Sequence, residues 1–191
     1  MKWLTLILIL FTTLLSGCEL QPVTDSNSPF YSVPEGSRLI LNQQLTIPAG
    51  QARIFIQNQQ LYNNVNLIDQ YHPYCEFEVK TLSQSLQQIQ PDDFIIYRVV
   101  DEETQAAREP VLYASLKLSD IAPLLVAYNT TFYLKSAKQP DVLRLNCLHW
   151  DDLNANRYLS FTEISSTLGK VFSFILNIPD SSALKGINLI K

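Results

Sequence analysis

Alternation of apolar and polar residues with a period of two runs through much of the chain. In CEFEVK, Cys75, Phe77 and Val79 share one face of an extended segment, and charged side chains occupy the other face. The segments 52–57 and 112–119 repeat this pattern. Such alternation is typical of strands that bury one face, usually in antiparallel sheets. The sequence therefore predicts an all-β fold.

Further strands are predicted where short apolar segments lie between turn-forming residues. These segments are 38–45, 94–100, 124–128, 131–135, 142–149 and 171–176. The turns that separate the strands are predicted at 48–50, 90–93, 101–110 and 138–141. Many short strands joined by turns indicate a mainly antiparallel β-sandwich or a barrel-like fold.

One short helix is predicted near the C-terminus, from the sequence SFTE. Its Ser160 would accept a hydrogen bond from the backbone amide of Glu163, whose side chain would reach back to the start of the helix. Ile164 and Leu168 lie four residues apart on one face, and Gly169 supplies the C-terminal stop. Because the helix has fewer than three turns, it must pack on the sheet to persist.

The first 17 residues have the features of a secretory signal peptide. Lys2 gives a positive start, the stretch 3–15 is apolar apart from three Thr, and small residues follow. The apolar stretch is shorter than the roughly 20 residues of a membrane-spanning helix. The pattern is therefore that of a signal peptide rather than of a transmembrane anchor.

The end of this segment, Leu15-Ser16-Gly17-Cys18, resembles the lipobox of bacterial lipoprotein precursors at all four positions. The resemblance implies cleavage before Cys18, a diacylglycerol on the Cys18 thiol and a further acyl chain on the new amino terminus. The next residue is Glu19 rather than the Asp typical of inner-membrane retention, which by the same resemblance favours the outer membrane. An ordinary signal peptide with an isolated cysteine is the alternative.

These features divide the chain into three parts: a signal peptide at 1–17, the lipidated cysteine and a flexible tether at 18–37, and one β-rich domain at 38–191. The tether is rich in proline and small polar residues, and its aromatic pair Phe30-Tyr31 is suited to docking on the domain. The chain length suits a single domain, and its formal net charge of −4 argues against a nucleic-acid partner.

Three stretches also resemble an uncharacterised group of proteobacterial envelope lipoproteins. They are IPAGQARIFIQ, YHPYCEFEV and FTEISSTLG, in this order behind the lipobox. The resemblance covers much of the mature chain. It implies a place in the cell envelope but no particular ligand or reaction, because the group carries no established activity.

Once Cys18 is lipidated, Cys75 and Cys147 are the cysteines that remain. Both lie on the apolar faces of predicted strands, and an exported protein meets an oxidising compartment in which paired thiols persist as disulfides. We therefore predict a disulfide between them. A bridge across 72 residues is worth about 4 kcal/mol in the chain-entropy model.

A metal site is the alternative for these thiols, because the chain's only two histidines lie close to them in sequence. Its ligands would be His72, Cys75, Cys147 and His149. The paired-cysteine knuckle of common structural zinc sites is absent, and free thiols are a third possibility. We predict the disulfide, no metal and no cofactor.

Motifs for catalysis are missing from the sequence. There is no nucleophile elbow, phosphate-binding loop, dinucleotide fingerprint or HExxH motif. Acidic clusters at 92–93, 101–103 and 151–152 each fall at a predicted turn, where solvated carboxylates are ordinary.

The predicted function is therefore a lipid-anchored, non-catalytic interaction or structural module of the envelope, with an unknown envelope protein as partner. One alternative is a domain that binds a glycan through exposed tyrosine and tryptophan. The other is a hydrolase that uses only carboxylates.

Overall fold

A computed structural model describes residues 23–105, 125–154 and 157–178. They form ten strands, one α-helix and one short 3-10 helix at Val65–Leu67. The strands are β1 Arg38–Leu41, β2 Leu45–Ile47, β3 Arg53–Gln57, β4 Gln60–Tyr62, β5 Tyr74–Val79, β6 Gln87–Ile89, β7 Asp92–Gln105, β8 Leu125–Lys135, β9 Val142–Asp152 and β10 Phe172–Ile175. The helix, α1, is Phe161–Leu168.

Eight of these strands form one antiparallel sheet, in the order β10-β1-β7-β8-β9-β5-β3-β4. The other two, β2 and β6, pair as a small second sheet. The large sheet curls into a half-barrel with a concave inner face and a convex outer face. The predicted fold class is therefore confirmed: an all-β, mainly antiparallel, barrel-like fold with one short helix near the C-terminus.

The inner face of the large sheet carries the hydrophobic core, because alternate residues of a strand point to the same side. Phe77 lies at its centre, with its ring centroid 5.9 Å from that of Phe94 and 5.3 Å from that of Phe172. Ile164 and Leu168 of α1 are buried in the same cluster, as are residues of β2 and β6. One continuous core therefore joins the two sheets and the helix.

The helix α1 begins and ends as its sequence predicts. Ser160 Oγ accepts from the Glu163 amide at 3.3 Å, and the Ser160 amide donates to Glu163 Oε2 at 2.8 Å. Arg157 Nη1 lies 2.9 Å from each oxygen of Glu163. Burial acts to raise the pKa of Glu163, but these hydrogen bonds hold it below its ordinary value. Gly169 ends the helix with a φ of 51°.

Several predicted strand bounds are wrong. The predicted strands 94–100 and 142–149 are parts of the longer β7 and β9. The segment 38–45 holds β1 and the start of β2, because residues 42–44 leave the large sheet for the small one. The segments 124–128 and 131–135 are one strand, β8. Its polar middle stays in the sheet because Thr130 donates to Asp101 at 2.7 Å and Thr131 donates to Asn146 at 2.9 Å, so both hydroxyls are satisfied by neighbouring strands.

The acidic clusters lie on strands rather than at turns, which corrects the sequence prediction. Asp92-Asp93 and 101–103 belong to β7, and 151–152 belong to β9. Asp92 accepts from Ser136 at 2.6 Å and from Gln139 at 3.1 Å, so bonding partners rather than a turn accommodate its charge. The predicted strand at 112–119 lies outside the described residues.

Part of the predicted tether packs onto the domain. Val33 is buried in the core, and the Tyr31 ring centroid lies 5.5 Å from that of Phe161. The Gly36 amide donates to the Ile96 carbonyl at 2.8 Å. The signal peptide and Cys18 lie outside the described residues. In the part of the chain that is described, no helix is long and apolar enough to cross a membrane.

Candidate ligand-binding groove

Cys75 and Cys147 lie directly opposite each other on the neighbouring strands β5 and β9. Their Sγ atoms are 2.11 Å apart and their Cα atoms 4.0 Å apart, and both residues are fully buried on the inner face. The sulfur atoms are at bonding distance, in agreement with the predicted pairing. The bridge joins strands near the centre of the large sheet.

The two histidines lie in different environments, one exposed and one buried. His72 belongs to a loop on the outer face, where its exposed ring places Nδ1 2.9 Å from Asp69 Oδ2. His149 follows Cys147 on the inner face and is only 3% exposed. Among the residues that the structure describes, no three His, Cys, Asp or Glu side chains are grouped to hold a metal ion. The four residues of the alternative metal site are thus not brought together.

The surroundings of His149 disfavour the charged form of its imidazole. Its ring lies beside that of Tyr128, with centroids 6.0 Å apart, and its two nitrogens accept or donate no hydrogen bond within the described part of the chain. Burial lowers the pKa of His149, and Arg157 lowers it further, whereas Asp151, 3.7 Å away, and Glu163 act to raise it. A proton on this ring is therefore disfavoured in the folded protein.

This environment predicts a pH-dependent stability. The unfolded chain binds a proton on His149 near pH 6.5, whereas the folded protein binds it only at lower pH. The free energy of unfolding should then fall as the pH drops below about 6.5. We expect His149→Phe to be less sensitive to pH in this range, measured by urea unfolding between pH 7.5 and 5. His72→Phe, at an exposed position, is the control, and equal pH slopes for wild type and His149→Phe would contradict the prediction.

The outer face carries a network of two acids and two arginines. Arg53 bridges both carboxylates, at 3.0 Å from Glu76 Oε2 and 3.0 Å from Glu78 Oε1. Arg144 donates to the other oxygen of Glu78. Burial raises the pKa of the Glu76 carboxyl, Arg53 and Arg144 oppose the rise, and Glu78 adds to it. Because both acids are engaged by arginine, the geometry favours a role in holding β3, β5 and β9 together.

A groove of about 640 Å³ lies elsewhere on the outer face, between the loop after β4 and the ends of β8 and β9. Its walls combine two aromatic rings, apolar side chains, amides and one carboxylate. The lining residues are Asn66, Leu67, Ile68, Asp69, Gln70, Tyr71, Leu125 and Trp150. Pockets of this volume, mainly apolar with a few polar groups, are typical of small-ligand sites.

The loop that forms one wall is fixed by the buried side chain of Gln57. Gln57 Oε1 accepts from the Asp69 amide at 2.9 Å, and Nε2 donates to the Asp69 carbonyl at 2.7 Å and the His72 carbonyl at 3.3 Å. The Gln70 carbonyl accepts from the Trp150 amide at 2.8 Å, which ties the loop to β9. The groove is thus pre-formed, so a ligand would meet a small ordering cost.

The two aromatic residues of the groove, Trp150 and Tyr71, lie in different environments. Trp150 is half-buried against the sheet, next to the buried phenol of Tyr74. Burial raises the pKa of that phenol, and the Trp150 side chain opposes the rise as a hydrogen-bond donor. Tyr71 is 61% exposed. The groove therefore combines a fixed aromatic platform with an accessible ring.

The sequence pointed to exposed tyrosine and tryptophan in general but did not single out Tyr71 and Trp150, and it gave no indication of Gln57 or Asp69. The run NNVNLID at 63–69 was the available signal, since Asn and Asp favour turns that bond their own backbone. Comparisons with protein-family models, with curated proteins and with solved structures found no significant match. The function must be argued from the groove itself.

Proposed function

We propose that this chain is a lipid-anchored protein of the bacterial outer membrane that acts by binding, and that its groove takes a neutral glycan. The lipobox at Leu15-Ser16-Gly17-Cys18 supports the anchor. The observation that carries the glycan is the pairing of Tyr71 and Trp150 in one pre-formed groove.

The chemistry of the groove fits a sugar ring. The face of an aromatic ring is electron-rich, so it attracts the partially positive C–H groups on the apolar face of a pyranose. Asn66 and Gln70 offer amide groups, and the Asp69 carboxylate accepts hydrogen bonds from hydroxyls. The lining residues that the structure describes include an acid but neither Lys nor Arg, which favours a neutral ligand over an anionic one.

The chain offers a direct readout of this site. Its two tryptophans are Trp3, in the predicted signal peptide, and Trp150. Fluorescence of the mature protein therefore reports on the groove alone. We expect titration with a neutral oligosaccharide, such as a chitin tetramer, to shift the Trp150 emission in a saturable way.

Replacing Tyr71, the exposed aromatic residue of the groove, tests the site. Tyr71→Ala should weaken binding by about tenfold, because it removes one stacking surface worth about 0.5–1.5 kcal/mol beyond its buried area. Tyr97→Ala is the matched control, because Tyr97 is also exposed on the large sheet but lies outside the lining of the groove. An unchanged affinity in Tyr71→Ala, or no response to any neutral glycan, would overturn the proposal for the groove. Preference for an acidic glycan would overturn the assigned ligand charge.

A further inference from the structure

Strand β7 extends well past its neighbour β1. The two strands pair only where Asp92 to Ile95 face β1, and the backbone of Ile96 then bonds Ser37 and Gly36. Beyond this point β8 is the strand that pairs with β7 in the described residues, as far as Gln105. Within the described ranges 23–105, 125–154 and 157–178, no strand pairs with the other side of 97–105. Its outward N–H and C=O groups there form an open sheet edge that another strand could join. We call this stretch the β7 edge.

The side chains of the β7 edge alternate between the two faces. Arg98, Val100 and Glu102 lie on the outer face, because each is opposite an outer-face residue of β8. The guanidinium carbon of Arg98 lies 5.4 Å from the centre of the Tyr133 ring, a cation–π contact that places the charge on this face. One strand thus presents a base and an acid four residues apart, on the same side of the sheet.

We propose that the β7 edge pairs with the β7 edge of a second copy of this chain, antiparallel and about a two-fold axis through Val100. In this register Arg98 of each copy faces Glu102 of the other, so two opposite-charge pairs form across the axis. Each face of the sheet also continues into the second copy, as strand pairing requires. Main-chain hydrogen bonds supply the affinity, as in other complexes formed by strand addition.

The charges of the β7 edge select this register. In a register with the axis through Asp101, the two Asp101 carboxylates would lie opposite each other. With the axis through Glu102, the two Glu102 carboxylates would lie opposite each other. Like charges directly opposite are destabilising, whereas opposite charges contribute favourably. The acidic run 101–103 also discourages pairing with unrelated strands, which is the usual protection of an exposed edge. A second copy of this chain offers the matching base, Arg98, at the right place in the strand.

Charge exchange tests the pairing by sedimentation of the purified mature protein over the micromolar range. The wild type should dimerise reversibly. Arg98→Glu and Glu102→Arg should each weaken the dimer by at least about tenfold, because two attractive pairs become two repulsive ones. The double variant should dimerise again. An equal mixture of the two single variants should form mixed dimers, since every pair across the axis is once more an acid and a base.

Lys170→Glu is the matched control, because it makes the same change of charge at an exposed residue outside β7. It should dimerise as the wild type does. A monomeric wild type overturns the proposal. So do single variants that dimerise as well as the wild type, or a double variant and a mixture that stay monomeric.

Discussion

Removing the bridge between Cys75 and Cys147 should lower the free energy of unfolding by about 4 kcal/mol, the chain-entropy value for a loop closed across 72 residues. The double variant Cys75→Ala/Cys147→Ala removes both thiols, so that neither is left to form other bonds. For a domain of this size the loss corresponds to a melting temperature lower by roughly 10 °C. Thermal unfolding of wild type and variant measures it.

A reductant supplies the internal control. It should lower the melting temperature of the wild type towards that of the variant and leave the variant unchanged. Alkylation of the denatured protein should label Cys75 and Cys147 only after reduction. Labelling of both thiols without reductant would contradict the disulfide, and so would a variant as stable as the wild type.

Replacing Cys18 should have the largest effect on location. Cys18→Ser offers no thiol for the diacylglycerol, so we expect an uncleaved precursor without the acyl chains. Each buried CH2 contributes about 0.8 kcal/mol to membrane affinity, so several chains hold the wild type firmly on the bilayer. Intact mass should show lipid on Cys18 of the wild type and an intact amino-terminal segment in the variant.

The matched control for this experiment is Cys75→Ala/Cys147→Ala. It keeps Cys18 and should be cleaved and lipidated as the wild type is. A mature wild-type protein that begins at a residue other than Cys18, without lipid, would end the proposal of a lipid anchor. The groove could still be tested for glycan binding in that case, because its proposal rests on Tyr71 and Trp150.

The features that the sequence predicted well are those fixed by neighbours along the chain. Alternation placed Cys75 and Phe77 on one inner face, and the capping pattern located the start of α1 at Ser160. In both cases a local rule, the pleat of a strand or the unpaired amides of a helix start, is enough. Cys75 and Cys147 lie directly across from each other because their strands, β5 and β9, are neighbours in the sheet.

The features that it missed depend on contacts between distant parts of the chain. Strands β2, β4 and β6 have three residues each, too few for a recognisable period. The groove exists because Gln57 holds the backbone of Asp69 and because Gln70 bonds the amide of Trp150. Nothing in the residue types of these segments specifies that they meet.

The place of β1 in the large sheet sets an order in which the domain can assemble. One neighbour of β1 is β10, where Leu41 pairs with Phe172, and such distant pairings form slowly because a long loop must close first. The run β7-β8-β9 needs only successive strands. A chain delivered from its amino terminus presents β1, with the apolar Leu39 and Leu41, long before β10 emerges. The last described strand, β10, therefore completes the sheet beside β1, and until it arrives that edge of β1 is unpaired.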